Sequence, residues 1–164
     1  MMDTGKQKGL VAGVVIILLV VTLTVVAMFW SSEPDTFDVN ARAKAALESN
    51  GESMVVGYTT TNTLIEVAST LLNKTGGYIS NDVIPPGVML DNIANWEFGV
   101  LVQVRDLSRA LRKDFSRSQS QSKEDADLAL AEPQFNFDNN SWIFPATESE
   151  YKTGITALKR YQHR

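Results

Sequence analysis

Two short motifs in the chain suggest nucleophilic serine chemistry. Ser120 and Lys123 fit S-x-x-K, and residues 152–154 read K-T-G, the combination used by serine penicillin-binding enzymes. That chemistry needs the serine at the start of a helix, with its lysine one turn on. Here the first motif lies in a Ser/Gln tract and the second lies inside a predicted helix. K-T-G also occurs at 74–76, at a predicted helix end, so we interpret both motifs as chance matches.

Acidic residues around a Pro-Pro loop suggest a second chemistry, the hydrolysis of glycosidic bonds by paired carboxylates. Asp82, Asp91 and Glu97 flank this loop and Trp96. Nineteen acidic residues make such a grouping common by chance, and a carboxylate in the first turn of a helix is favoured by the helix dipole anyway. The sequence therefore assigns no catalytic residue, and a periplasmic hydrolase of cell-wall glycan stays as the alternative function.

Metal and cofactor sites are poorly represented. Asn136, Asp138 and Asn140 are spaced like the start of a calcium loop, but Ser141 and Thr147 stand where that loop needs glycine and glutamate. The chain has no cysteine and one histidine, which excludes sites rich in these ligands, and it has no glycine-rich phosphate loop. We expect neither a metal nor a cofactor.

The element that must position everything else is an apolar run over residues 10–30, LVAGVVIILLVVTLTVVAMFW, which carries no charge over 21 residues. A helix needs about 20 such residues to cross the hydrocarbon of a bilayer. A cleaved signal peptide has a shorter apolar region that ends in small residues, whereas this run ends in Met28, Phe29 and Trp30. We predict an uncleaved membrane anchor, represented by Leu10, Gly13, Ile17, Leu19, Phe29 and Trp30.

Flanking charge predicts the orientation of this anchor. Lys6 and Lys8 precede it, whereas Glu33, Asp35 and Asp38 follow it. Because basic flanks stay in the cytoplasm, we expect a bacterial inner-membrane protein with a cytoplasmic tail (1–9), a transmembrane helix (10–30), a linker (31–37) and a periplasmic domain (38–164). Residues 31–164, the linker and the domain together, carry 13 basic and 18 acidic residues, which argues against nucleic-acid binding.

Gly9 and Gly13 form a small-xxx-small pair near the start of the anchor. Such spacing lets two helix backbones approach closely, so a homodimer through these glycines is one interpretation. The other is a chance pair at a helix end.

The periplasmic part is predicted to be mainly α, with one small β-hairpin. Asp38 caps a helix that stops at Asn50, a capping box at 63–66 begins a second helix, and Asn95 caps a long third helix over 96–115. A short helix capped by Ser122 and Asp125 ends before Pro133. Aromatics at 135–137 and 142–144 around a turn-forming cluster favour a hairpin, and a capping box at 147–150 begins a last helix.

A candidate interaction surface combines the Pro-Pro loop with the basic face of the long helix. Its residues are Pro85, Pro86, Trp96, Arg105, Arg109 and Arg112. The functional interpretation is a docking face for an acidic partner or lipid headgroups; the simpler one is a solvated basic side of an amphipathic helix.

Several long segments resemble a known family. They are 76–87 (GGYISNDVIPPG), 90–92, 95–106 (NWEFGVLVQVRD), 114–122 and 135–138. Together they resemble an uncharacterised Gram-negative inner-membrane family, domain-of-unknown-function family 2333, over most of residues 10–162. The resemblance implies one amino-terminal membrane helix and a periplasmic body, and no catalytic residues. It also implies that this chain is the amino-terminal half of a longer protein, with a periplasmic domain incomplete at its C-terminus.

The sequence thus favours a membrane-anchored structural or interaction protein of the envelope over an enzyme. Its expected partners are the lipid bilayer and a protein or cell-wall component of the periplasm.

Overall fold

The computed structural model describes residues 4–51, 53–115 and 123–163, and within these ranges the regular structure is helical. The helices are α1 (Thr4–Trp30), α2 (Val39–Asn50), α3 (Tyr58–Asn73), α4 (Asp91–Ala110), α5 (Ala126–Phe135) and α6 (Thr147–Gln162). A 3₁₀ turn over Gly87–Met89 precedes α4, and a π turn over Leu111–Phe115 continues it.

Helices α3 to α6 form an antiparallel four-helix bundle, and α2 lies against the outside of α3. The end of α3 and the start of α4 lie beside the end of α1, where Trp30 contacts Gly76 and Asn92 donates to the carbonyl of Ser31. We call this the near end of the bundle. At the far end, Arg160 pairs with Asp127.

Helices α1 and α2 confirm local expectations. The hydroxyls of Thr22 and Thr24 donate to carbonyls one turn back, at 2.8 and 2.9 Å, which satisfies them without water. The side chain of Asp38 accepts from the amide of Ala41, and Gly51 ends α2 in a left-handed conformation (φ 67°).

Two helices begin earlier than their sequence signals predict. Helix α3 begins at Tyr58, so Thr63 lies inside it and its hydroxyl donates to the carbonyl of Thr59 instead of capping. Helix α4 begins at Asp91, four residues before the predicted cap Asn95. In both, a buried apolar side chain selects the start: Tyr58 packs with α2, and Ile93 is fully buried.

The predicted β-hairpin is wrong, since no strand occurs in the described parts of the chain. Phe135 is the last residue of α5 and is fully buried, so the helix continues through Pro133 to place this ring in the core. The second aromatic group lies in an irregular segment with exposed side chains. The hydroxyl of Thr147 donates to the carbonyls of Asp138 and Ser141, which holds that segment on α6 and also removes Thr147 as a cap.

The core lies between the four bundle helices. Its fully buried side chains include Leu64, Leu71, Leu101, Leu128, Phe135, Tyr151 and Leu158. Helices α5 and α6 pack tightly at Gly154, where an added Cβ would lie 2.9 Å from the Cζ of Phe135.

Candidate functional site

The segment between α3 and α4 is held by a buried ion pair. Lys74 Nζ lies 2.7 Å from Glu97 Oε1, and the two side chains are 1% and 0% exposed. Lys74 follows α3 directly, whereas Glu97 lies in the second turn of α4. Because neither charge reaches water, each depends on the other and on nearby hydrogen bonds.

Glu97 has further partners in the same segment. Its two carboxylate oxygens accept from the amides of Ile79 (2.8 Å) and Ser80 (2.7 Å), and from the Ser80 hydroxyl. Lys74 also donates to the carbonyl of Gly77. We call Lys74, Glu97 and Ser80 the buried clamp. It fixes the path of the chain from α3 into the Pro-Pro loop.

The same segment is also tied to the α5–α6 connection. The Tyr78 hydroxyl donates to the carbonyl of Asn139 at 3.0 Å, and the Asn81 amide donates to Ser141 and to Glu148, both at 2.9 Å. Burial of the Tyr78 ring raises the pKa of its hydroxyl. Two loops separated by about sixty residues therefore form one surface at the near end.

A cleft of about 280 Å³ lies on this surface. It is lined by residues from three parts of the chain: Trp30 at the end of α1, Asp82 and Ile84 in the loop between α3 and α4, and Trp142 and Glu148 in the α5–α6 connection and the start of α6. Trp30 is held close to the backbone, since a Cβ added at Gly76 would lie 2.7 Å from its Cγ.

Two acidic side chains, Asp82 and Glu148, line this cleft, and Asp82 is the one whose pKa is shifted. Its pKa is raised above the ordinary value, first by burial and then by the neighbouring carboxylates of Glu148 and Glu97, while Lys74 opposes the shift. A protonatable acid beside a second carboxylate can exchange protons. Asp82 and Glu148 do not form a metal site, because no group of three metal-ligating side chains occurs in the described ranges.

The three carboxylates of the hydrolase alternative do not form one accessible site. Asp82 is half-buried in the cleft, Asp91 is exposed at the start of α4, and Glu97 is inaccessible in the clamp. Glu148 lies beside Asp82 instead, at a position that the sequence does not single out. Lys74 and Ser80 were also missed, since their link to Glu97 spans about twenty residues and has no local signal.

The predicted interaction surface is divided among different environments. Pro85 is exposed at the near-end cleft, whereas Pro86 is buried. Trp96 is half-buried and faces the linker in a groove between α3 and α4.

The arginines of that surface mainly connect α4 to α5. Arg105 donates to the carbonyls of Phe135 and Phe137, and Arg112 makes 2.6 Å contacts with both Glu124 and Glu132. Arg109 has a side chain 58% exposed, with a contact of 3.9 Å to Glu132.

The predicted anchor residues lie on a helix that the other described residues leave largely uncovered, except at Trp30. Leu10, Ile17, Leu19 and Phe29 are all more than half exposed, and Lys6 and Lys8 are exposed before them. Nothing lies within 4 Å of a Cβ added at Gly9 or Gly13, so both glycines leave space for a second backbone.

A second cleft, of about 340 Å³, opens at the far end. It lies between the start of α3, the π turn after α4 and the end of α6. Val55, Val56 and Phe115 are exposed at its rim, at 59%, 106% and 72%. The ion pair of Arg160 with Asp127 lies at the same end.

The comparisons with known proteins identify a family and no more than that. The model of a bacterial family described as "Uncharacterized protein conserved in bacteria (DUF2333)" matches residues 4–164, a longer stretch than the resemblance in sequence indicated. No curated protein and no solved structure is similar enough to match.

Proposed function

The chain belongs to this family of uncharacterised bacterial proteins, and we propose that it is a single-pass inner-membrane protein whose periplasmic bundle binds another envelope protein. The N-terminus lies in the cytoplasm. The observation that carries the proposal is the arrangement of two apolar surfaces. Helix α1 is uncovered at the near end of the bundle, and the apolar cleft at Val55, Val56 and Phe115 opens at the far end.

The anchor is supported by the exposure of α1. The helix is long and apolar enough to cross a membrane over Gly5–Trp30, with a mean hydropathy of 3.1 and no part of that window buried by protein. A core helix of a soluble protein would be buried, so lipid is the environment that suits this surface.

Retention of the anchor is supported by the contacts of its last residues. Trp30 packs against Gly76, and Ser31 and Asn92 exchange side-chain and backbone contacts of 3.3–3.4 Å. Cleavage after α1 would remove Trp30 from the near-end cleft. The orientation follows from Lys6 and Lys8 before the helix and acidic residues after it.

A binding role is supported by the use of charge within the bundle. Glu97 is inaccessible, and Arg105 and Arg112 are engaged inside the protein. No described observation favours hydrolysis of cell-wall glycan. Exposed valines and a phenylalanine around an open cleft are, by contrast, typical of protein-binding surfaces.

Topology is tested with single cysteines in the full chain, which has no native cysteine. In spheroplasts, a membrane-impermeant maleimide should label Val56→Cys at once and Lys8→Cys only after permeabilisation. Labelling in the reverse order, or release of the protein by osmotic shock, would contradict the proposed anchoring.

Partner binding is tested by in-cell photocrosslinking from position 56, with position 109 for the sequence-predicted basic surface and exposed Lys152 as the control. Discrete adducts from 56 support the far-end cleft as the binding surface. Adducts from 109 alone would move binding to the basic face, and monomer at all three positions would refute an interaction role.

A further inference from the structure

Two loops near the end of α1 expose many apolar side chains. They are residues 83–89 and 142–144, which we call the apolar collar, and neither segment contains a charged residue. Seven of its side chains are more than half exposed: Val83, Ile84, Val88, Met89, Trp142, Ile143 and Phe144, the last at 97%. Exposure of this kind is costly in water.

The collar lies beside the point where α1 ends. Ile84 from its first loop and Trp142 from its second line the same small cleft as Trp30, the last residue of α1. The amide of Asn81 holds the second loop through the carbonyl of Ser141, so the two loops are connected rather than independent. Trp30 therefore lies next to both loops.

The length of the apolar run places Trp30 at a membrane boundary. The 21 residues from Leu10 to Trp30 span about 31 Å as a helix at 1.5 Å per residue, against roughly 30 Å of hydrocarbon. The headgroup layer beyond adds several ångström on each side, with total thickness about 40–45 Å. Residues that line one cleft with Trp30 must then lie within or next to that layer.

We propose that the apolar collar inserts into the outer leaflet of the bilayer that α1 spans, so that the near end of the bundle lies on the membrane. This inference rests on the proposed anchoring. The occupant is lipid because Ile84 and Trp142 of the collar line the same cleft as Trp30, the last residue of the helix that we propose crosses the bilayer. Tryptophan at both Trp30 and Trp142 is typical of residues at the interfacial layer.

Apolar burial, and not charge, makes this contact. The collar has no lysine or arginine, and the nearest charges of its cleft are Asp82 and Glu148, which an anionic surface would repel. Insertion should therefore be insensitive to salt and should not require anionic lipid. It would hold the bundle close to the bilayer with its far-end cleft directed toward the periplasm.

The test uses the full chain in nanodiscs of phosphatidylcholine, with an environment-sensitive fluorophore on single cysteines. Ile84→Cys and Phe144→Cys report the collar, Ile17→Cys reports the anchor, and Val56→Cys at the far end is the aqueous control. Each replaced side chain is more than half exposed, and circular dichroism checks the fold. Brominated acyl chains serve as the quencher.

We expect bromolipid to reduce fluorescence at positions 17, 84 and 144 but not at 56, equally at low and high salt. Quenching at 17 with positions 84 and 144 behaving like 56 would overturn the collar and leave the anchor intact. Absence of quenching at 17 would overturn the anchor itself. Quenching at 84 and 144 that disappears at high salt would refute insertion by apolar burial.

Discussion

Replacing Glu97 by glutamine should destabilise the bundle strongly, although it changes one atom. The carboxylate pairs with Lys74 and accepts from the amides of Ile79 and Ser80. Glutamine leaves Lys74 as an uncompensated charge at 1% exposure and directs an NH₂ group at a donor. Breaking a buried ion pair in this way costs about 3–5 kcal/mol.

This cost should be visible as a fall in melting temperature. At roughly 3–4 °C per kcal/mol for a domain of this size, the Tm of E97Q should fall by about 10–20 °C. The measurement is thermal unfolding of the full chain in nanodiscs, followed by circular dichroism. Hydrogen exchange should also show loss of protection at the amides of Ile79 and Ser80, which separates local release of the loop from a general effect.

The matched control is the exposed ion pair of Arg160 with Asp127, which has a similar contact distance of 2.8 Å. Its arginine side chain is 51% exposed, so R160Q should cost no more than about 1 kcal/mol. If E97Q costs no more than R160Q, the reasoning that burial makes the clamp important is refuted. The hydrolase alternative instead requires E97Q to lose a phenotype while its protein level stays unchanged.

Three further predictions concern single sites. G154A should lower the free energy of unfolding by about 1–3 kcal/mol, measured by thermal unfolding, because its methyl group would overlap the ring of Phe135. The control G99A adds a methyl group with nothing within 4 Å and should stabilise α4 by about 0.5–1 kcal/mol. Equal effects of the two substitutions would contradict the packing at Gly154. D82N should raise the Tm at neutral pH. The raised pKa of Asp82 means that the folded protein holds the proton more tightly, so wild-type stability falls as pH rises from 3.8 through the folded pKa, and the gain of D82N should vanish below that range. D38A should lower stability by about 1 kcal/mol and expose the Ala41 amide to hydrogen exchange, since the cap bond is lost; unchanged exchange would exclude the cap.

Sequence signals within one or two helical turns were sufficient to predict α1, the two ends of α2 and the start of α5. The uncharged run that ends at Trp30 predicts α1, because an apolar run of this length is typical of a membrane-spanning helix and its threonine hydroxyls can donate to the preceding turn. Helix α2 begins after Asp38, whose side chain caps it, and ends at Gly51, which adopts the left-handed conformation that glycine favours. Asp125 likewise caps α5 through the amides of residues 127 and 128.

Other local signals were overridden by packing. The predicted capping box that begins at Thr63 lies inside α3, because the helix already begins at Tyr58, whose side chain is buried against α2. The aromatic pattern after Pro133 favoured a hairpin, but Phe135 joins the helical core instead. Burial of one large ring stabilises the fold by about 1.5–3 kcal/mol, more than the roughly 1 kcal/mol of a typical cap.

The roles of the charged residues depended on contacts between distant parts of the chain. Composition and the order of charge around α1 predict a membrane anchor and its orientation, because both can be counted along the sequence without knowing which residues meet. Whether Glu97 is a catalytic acid or a structural ion depends on Lys74 and on whether water reaches it. The pairing of Glu97 with Lys74 and its burial both depend on how α3 packs against α4. The sequence alone does not specify which charged residues become buried together.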